Sequence, residues 1–316
     1  MPKYNRSELD VTARKYGFLR DTFEKVLRLK EILSYFNNEE FLKEHILLKG
    51  GTAINLMLFS LPRLSVDIDL DFTPNLPRED MLAAREQISA IIKAYMESEG
   101  YRLSPASRFH HSLDAFHYSY RNAAGNPDMI KIELNYSLRA HLFELEHRHL
   151  LTKAFGEDIS VRCVDPMEIF AAKANALLSR AAARDLYDFG NMIADNLFAD
   201  RKDLFRKSII FYASISAEEL NKTFDIKAID TLSFQKIRRD LFPVLGQSER
   251  RRKFDLDARI NAAKEYICDL MTLTGAETEY LDRFKAKEYR PELLFDDRDI
   301  LNRIQTHSMA LWRCRK

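Results

Sequence analysis

The chain has 316 residues, of which 46% are hydrophobic and 31% are charged, and this composition is typical of folded globular proteins. The length is sufficient for two domains. The formal net charge of +1 excludes attraction of nucleic acid by the field of the whole chain, so any such contact has to come from a local basic patch.

Cysteine usage and hydropathy exclude further classes. Cys163, Cys268 and Cys314 are widely spaced and form no CxxC pair, which argues against a disulfide framework and against a zinc site. No run of about 18 uncharged apolar residues and no N-terminal signal segment is evident. We therefore expect a soluble, cytoplasmic protein that makes no membrane contact.

The first predicted element is an amphipathic helix. Apolar residues recur at helical spacing among charged residues from Phe18 to Phe36. A short apolar run, Ile46 to Leu48, follows and leads directly into Gly50. We therefore expect a buried apolar segment that ends at a glycine turn.

The turn Gly50-Gly51-Thr52 has the composition of an anion-binding site. Glycine has no Cβ, so the chain can approach a phosphate closely, and Thr52 adds a hydroxyl at a predicted helix N-terminus. Apolar residues at helical spacing follow from position 54 to position 59. We interpret the turn as a nucleotide-binding element.

A strand with acids at alternate positions follows this helix. The spacing predicts that Asp67, Asp69 and Asp71 line one face and that the apolar residues between them line the other. Carboxylates on one face repel one another unless a cation neutralises them, and oxygen ligands on a rigid strand suit Mg²⁺ or Mn²⁺ bound to nucleotide phosphates. The alternative is a half-buried strand with a solvated acidic face. The preceding turn favours the metal site.

Next, the pattern predicts a helix from Arg78 to about Ser98 and then a β-hairpin around the turn at residues 122–127. Glu133 lies on the second hairpin strand, opposite the isoleucines, and is the candidate third metal ligand. Asp128 or Asn135 takes that place if the strand is aligned differently. A further alternative makes Glu133 an outward polar residue, paired across the sheet with a tyrosine or a basic side chain.

A domain boundary is predicted after a last strand at residues 161–164. Asp165 has the features of a helix N-cap, Pro166 those of a first helical residue, and Glu168 those of the second half of a capping box. Residues 1–164 are predicted to form one domain and residues 165–316 a second, helical one.

Within this second domain the pattern is interrupted twice. Leu245 to Gln247 and Arg290 to Pro291 have the composition of short linkers. No internal repeat or low-complexity segment is apparent. The second domain is predicted to be a helical bundle because its pattern is almost entirely helical and poor in glycine.

Lys173, Asp185 and Asp188 form a second group of charged residues at helical spacing. Lys173 lies four residues from Ile169 and from Leu177, so its stem follows an apolar stripe and its ammonium group requires an anion. The two aspartates lie three residues apart on one side of the following helix. The alternative is a buried bridge that merely ties two helices together.

Other polar clusters carry weaker signals. Two basic groups are candidate contacts for an RNA phosphate backbone, although such runs are more often solvated surface. They are Lys236, Arg238 and Arg239, and then Arg250 to Lys253. The eight histidines show no metal-ligand spacing.

Two blocks of the sequence resemble the AbiEii/AbiGii toxin group of the polymerase-β-like nucleotidyltransferases. The group's pattern KGGTA is matched from Lys49 to Ala53, and RxSxDIDLD from Arg63 to Asp71. The second block is a helical Lys173 followed by RDLYD, which ends at Asp188. The resemblance implies an α+β fold, in which a polymerase-β-like nucleotidyltransferase domain with a mixed sheet is followed by an all-helical C-terminal domain.

The resemblance also implies roles for individual residues. The expected catalytic residues are Asp67, Asp69, Lys173 and Asp185. The expected nucleotide-binding residues are Gly50, Gly51, Thr52, Lys173 and Asp188. The expected metal ligands are Asp67, Asp69 and Glu133, with Mg²⁺ or Mn²⁺ as cofactor and an NTP as substrate. The helical domain is expected to contribute Lys173 and Asp185 to the cleft.

The biology implied by the resemblance is that of a toxin in a type IV toxin–antitoxin or abortive-infection system. Such a toxin transfers an NMP from an NTP to an acceptor, here expected to be tRNA, and has a separately encoded antitoxin as partner. Three alternatives stay open from the sequence. They are a nucleotidyltransferase acting on a small molecule, a phosphotransferase acting on a protein, and a non-catalytic nucleotide-binding module.

Overall fold

The computed structural model describes residues 3–151, 155–156, 158–216, 224–251 and 254–315, with only the backbone of residue 251. The chain forms two compact units. The sheet unit comprises Met1–Arg139, Leu145–Val164 and Pro243–Arg252, and the helical unit comprises Ala140–Glu144, Asp165–Phe242 and Lys253–Lys316. Ala140–Glu144 thus belongs to the helical unit, although the residues on either side of it belong to the sheet unit. The reverse is true of Pro243–Arg252.

A mixed sheet forms the centre of the sheet unit, as predicted. Its strands in chain order are β1 Ile46–Lys49, β2 Asp67–Phe72, β3 Arg102–Leu103, β4 Arg108–His110, β5 Leu113–Arg121, β6 Pro127–Asn135, β7 Glu146–His149 and β8 Ser160–Cys163. The order across the sheet is β3-β5-β6-β2-β1-β8-β7, with β4 also paired to β5. β2 runs parallel to β6 and antiparallel to β1, and β1 runs parallel to β8.

Alternation of side chains explains the position of the central strands. On β6, Ile130, Ile132 and Leu134 are fully buried, while the residues between them are half-buried. On β2, Ile68 and Leu70 are buried in the same way. The predicted acidic strand and the predicted hairpin of β5 and β6 are therefore confirmed.

Helices pack around this sheet. They are α1 Arg6–Lys15, α2 Arg20–Asn38, α3 Glu40–His45, α4 Gly50–Ala53 and α5 Arg78–Ser98. The helix predicted between Phe18 and Phe36 corresponds to α2, and the helix predicted from Arg78 to Ser98 corresponds to α5. α4 continues without a break into a π-helical turn, Ile54–Leu58.

From residue 165 onward the described residues form helices and turns. The helices are α6 Pro166–Ser179, α7 Ala183–Ala194, α8 Lys202–Ser216, α9 Phe234–Asp240, α10 Gln247–Arg251, α11 Leu256–Leu270, α12 Gly275–Lys285, α13 Arg298–Ile304 and α14 Ser308–Arg315. The helical second half is therefore confirmed. Among the described residues, no helix is long and apolar enough to cross a membrane.

The start of α6 is partly as predicted. Asp165 accepts a hydrogen bond from the Met167 N–H at 2.7 Å, and Pro166 occupies the first turn. The capping-box role of Glu168 is wrong, because its buried carboxylate accepts the Leu142 and Phe143 N–H groups at 2.9 and 3.1 Å. A local motif was expected, but the partners lie more than twenty residues away.

Glu168 is the centre of a buried polar network in the helical unit. The Tyr212 hydroxyl of α8 also donates to it, and the His141 Nδ1 lies 3.6 Å away. Burial alone raises the pKa of the Glu168 carboxyl, but the nearby His141 and the hydrogen bonds from Tyr212 and Leu142 outweigh burial and hold the pKa below its ordinary value. This network attaches Ala140–Glu144 to the helices.

The linker predicted at Leu245 to Gln247 is wrong. Leu245 is 1% exposed and pairs with Arg63 in an isolated β-bridge. The Leu64 N–H donates to the Val244 carbonyl at 2.8 Å, and the Gln247 N–H donates to the Gly17 carbonyl at 2.6 Å. This segment is therefore a fixed part of the sheet unit.

Candidate functional site

The Gly-Gly-Thr turn and the acidic strand lie side by side in the sheet unit. β1 and β2 are antiparallel, with Lys49 directly opposite Asp69. Because α4 begins at Gly50, immediately after β1 ends, the turn is held beside the first acids of β2. The structure thus brings together the two features that the sequence linked.

Gly50 is required by two separate constraints. Its φ of +70° lies in the left-handed region that favours glycine. A Cβ added to Gly50 would also collide with the Asp69 carboxylate. The space beside this glycine is therefore occupied by an acidic side chain.

Gly51 rests on a second layer of side chains. A Cβ at this position would lie 2.9 Å from the Arg63 Nη2 and 2.9 Å from the Ser65 Oγ, and both of these residues are buried. The Asn55 amide donates to the Gly51 carbonyl at 2.8 Å from the π-helical turn. Such turns are frequently found at functional sites. Sequence reasoning assigned no role to these three supporting residues, although Arg63 and Ser65 belong to the family pattern.

Thr52 connects the turn to the strand. Its side chain is fully buried, and its hydroxyl donates to the Asp67 main-chain carbonyl. The hydroxyl that the sequence assigned to nucleotide binding is thus used inside the protein to fix the start of β2.

The carboxylates of β2 and β6 share one sheet face. Asp67 and Asp69 are half-buried, and in the parallel register Asp69 lies directly beside Glu133 while Asp67 lies beside Lys131. Lys131 bonds to Glu133 at 2.9 Å. The structure therefore gathers the three predicted metal ligands at neighbouring register positions.

The alternatives to Glu133 are engaged elsewhere. Asp128 binds Lys25 at 2.7 Å and accepts the Tyr120 hydroxyl at 3.0 Å. Asn135 accepts two main-chain N–H groups after the strand ends. Asp71 differs from the other acids of β2, because it is buried and paired with Lys49, a contact that the sequence did not suggest.

The chemistry of this sheet face suits a divalent cation. Asp67, Asp69, Asp71 and Glu133 supply hard oxygen ligands on neighbouring strands, where Lys49 pairs with Asp71 and Lys131 pairs with Glu133. Within the described part of the chain, no three His, Cys, Asp or Glu side chains converge closely enough to form a metal site without rearrangement. The oxygen donors are of the type that Mg²⁺ and Mn²⁺ prefer.

The second charged group lies on α6 and α7 of the helical unit. The Lys173 Nζ is 3.0 Å from the Asp185 Oδ1 and 2.8 Å from the Asp188 Oδ2. The Lys173 side chain is only 11% exposed, and that of Asp188 is fully buried. The structure thus brings these three predicted residues together in one ion-pair cluster.

Asp185 retains an unused acceptor. Its Oδ2 is buried and has no hydrogen-bond partner among the described residues, with the Arg180 Nη2 at 3.6 Å as its nearest cation. A buried carboxylate oxygen normally has a partner, so this atom is a candidate proton acceptor. Arg180 was not identified from the sequence.

The remaining polar clusters are dispersed. Lys236, Arg238 and Arg239 lie on α9, where Arg239 pairs with Asp240 at 2.6 Å. Arg250 lies on α10, but residues 252 and 253 of the second basic cluster are outside the described residues.

A mixed sheet that holds a glycine turn beside alternating acids is the arrangement that the sequence resemblance predicted for a nucleotidyltransferase domain. The family model described as "Nucleotidyl transferase AbiEii toxin, Type IV TA system" matches residues 31–258, well over half of the chain, and the chain belongs to this family. It is therefore a nucleotidyltransferase, and the family is that of toxins of type IV toxin–antitoxin systems.

A solved structure supports the fold. The chain is similar to MenT4, a nucleotidyltransferase toxin from Mycobacterium tuberculosis H37Rv, with a TM-score of 0.62 and 16% identity over 96% of this chain and 99% of that one. No match to the chain is found among the curated proteins. At this identity the likeness establishes the α+β architecture only.

Proposed function

We propose that the chain transfers a nucleoside monophosphate from an NTP to tRNA, with Mg²⁺ or Mn²⁺ bound by Asp67, Asp69 and Glu133. The observation that carries the proposal is the register that aligns these carboxylates on adjacent strands beside the glycine turn. When bound, the cation neutralises phosphate charge and stabilises the departing pyrophosphate. The family's activity supports the same reaction.

The glycine turn binds the triphosphate in this proposal. Gly50, Gly51 and Thr52 present main-chain N–H groups at the start of a helical stretch, where anions are favoured. The Asn55 amide and the Thr52 hydroxyl hold the turn in one conformation. A preformed turn lowers the ordering cost of nucleotide binding.

Lys173 and the two aspartates provide the acid–base and charge functions. Lys173 neutralises the charge that develops during attack on the α-phosphorus, and Asp188 fixes the position of its ammonium group. Asp185 accepts the proton of the attacking hydroxyl, which its unpartnered Oδ2 supports. The new bond joins the acceptor oxygen to the α-phosphorus, while the bond to pyrophosphate breaks.

The family supports the choice of partner, and the sequence resemblance supports the choice of acceptor. Type IV toxin–antitoxin systems imply an antitoxin, which we propose is a separately encoded protein. We propose tRNA as the acceptor because the resemblance of the two sequence blocks to the AbiEii/AbiGii group implies it.

Incubation of the purified protein with each labelled NTP, Mg²⁺ and total tRNA tests the proposal. The expected result is label on RNA that disappears with a chelator and in the Asp69→Ala variant. Nucleotide binding without transfer in any condition supports a non-catalytic module. Label on a small molecule or on protein, with none on RNA, identifies another acceptor.

A further inference from the structure

The sheet face that carries the candidate metal ligands continues beyond them. Directly paired residues of neighbouring strands lie on the same face. The register of β5 and β6 therefore places Lys131, Met129 and Pro127 on the same face as Glu133. Along this row exposure increases, since Lys131 is half-buried while Met129 and Pro127 are exposed.

A groove lies at the far end of this face. It has a volume of about 740 Å³ and is lined in part by Lys3, Arg102, Ser119, Arg121 and Pro127. In the register, Ser119 pairs with Arg102 on one side and with Met129 on the other. The groove is therefore continuous with the face that begins at the carboxylates.

The charge of the groove is positive at its exposed rim. Arg102 and Arg121 are exposed, and among the residues that the structure describes neither guanidinium pairs with a carboxylate. Arg121 donates only to the Gly125 carbonyl, at 2.9 Å. Lys3 binds Glu31 and Glu99, and Glu99 also lines the groove, so these three side chains together carry one negative charge. Two arginines are thus available to an outside anion.

The distance between the groove and the carboxylates is one that a polymeric ligand can span. Pro127 is six residues from Glu133 along β6, which corresponds to about 20 Å at ~3.3 Å per residue. At ~3.4 Å of helix axis per nucleotide, this distance covers on the order of six nucleotides of one strand. An NTP bound at the carboxylates is too short to reach the groove.

We infer that the groove at Arg102 and Arg121 binds the phosphate backbone of the acceptor RNA while its reacting end lies at Asp67, Asp69 and Glu133. This inference rests on the proposed function and adds the site for the acceptor. RNA is favoured over a protein partner because the exposed charged groups are guanidinium groups, with Met129 and Pro127 as the exposed apolar side chains along β6.

The test is the double variant Arg102→Glu/Arg121→Glu, with Arg6→Glu/Arg14→Glu as the matched control on exposed α1. Both variants change the net charge by the same amount. The expected result for the groove variant is a KM for total tRNA raised about tenfold with NTP affinity unchanged. The slope of log affinity for tRNA against log salt should become shallower by about 1.4 to 1.8.

The outcomes separate the inference from the proposed function. Absence of transfer to RNA by the wild type overturns both. Transfer by the wild type with equal KM and salt slope in the groove variant overturns the inference alone. Loss of binding to a co-purified antitoxin, with tRNA kinetics unchanged, assigns the groove to a protein partner and also overturns it. A thermal unfolding scan confirms that both variants fold.

Discussion

The acidic face of β2 and β6 and the charged cluster of the helical unit hold their charged side chains in different ways. On the acidic face of the central strands β2 and β6, four carboxylates lie at neighbouring positions, with Lys49 paired to Asp71 and Lys131 paired to Glu133. In the helical unit, Lys173, Asp185, Asp188 and Arg180 balance one another, and most of this cluster is buried. In the first arrangement acids lie side by side on adjacent strands, whereas in the second a buried lysine is shared by two aspartates. Removing a charge should therefore have opposite effects on stability in the two regions.

The largest expected effect is in the helical cluster. Lys173→Met leaves two buried aspartates without their shared cation and should lower the free energy of unfolding by about 3–5 kcal/mol. Urea unfolding measures this change, and Lys202→Met, an exposed lysine paired with Asp269, is the control with little effect. Equal stability of the two variants would show that the cluster is not a buried ion-pair network.

Glu168 sharpens the comparison, because the helical unit also satisfies this buried acid internally. Glu168→Gln places an amide NH₂ against main-chain donors and should cost about 1.5–3 kcal/mol. The exposed Glu265→Gln on α11 is the control.

The pH dependence of this effect has a defined sign. Because the folded-state pKa of Glu168 is lowered, its stabilisation is complete above the ordinary carboxyl range and is lost as pH falls through the folded-state value. The difference in unfolding free energy between wild type and Glu168→Gln should therefore shrink as pH falls below about 4.5. A difference that grows in acid contradicts the assignment.

Gly50→Ala tests how tightly the glycine turn packs against Asp69 of β2. The left-handed backbone alone costs about 1–2 kcal/mol, and the new methyl group also displaces the Asp69 carboxylate. Gly100→Ala is a matched control, since Gly100 also has a positive φ but open space around it. Both variants should lose similar stability from strain, but only Gly50→Ala should lose nucleotidyl transfer. Normal activity of Gly50→Ala would separate the turn from the chemistry.

The smallest expected effect has the opposite sign. Asp67→Asn relieves repulsion between the acids on the shared face of β2 and β6. It should raise the free energy of unfolding by about 0.2–1 kcal/mol in the absence of metal. Asp80→Asn, which removes an exposed acid from the first turn of α5, should instead lower it slightly. A loss of stability in Asp67→Asn would mean that this carboxylate is already satisfied by the protein.

Local sequence patterns predicted the features that depend on neighbouring residues. Alternation identified β2 and the β5–β6 hairpin, helical spacing identified α2 and α5, and the Asp165 cap identified the start of α6. These features follow from periods of 2 and 3.6 residues, which one segment specifies by itself.

Features that depend on distant residues were not predicted. The segment at Leu245 has loop composition but pairs with Arg63, and Glu168 has capping composition but binds Leu142 and Tyr212. The pairing of Lys49 with Asp71 and the groove at Arg102 arise from strand register. Register joins residues that no local period relates, so one sequence does not reveal it.

The roles of the predicted site residues stay predictions, and cation binding tests them most directly. Electron paramagnetic resonance titration of Mn²⁺ in the presence of a non-hydrolysable NTP analogue measures the bound metal for wild type, Asp69→Asn and the Asp80→Asn control. The account predicts Mn²⁺ binding by the wild type and the control, and its loss in Asp69→Asn. Equal Mn²⁺ binding by all three proteins would contradict a metal site formed by the acids of β2 and β6.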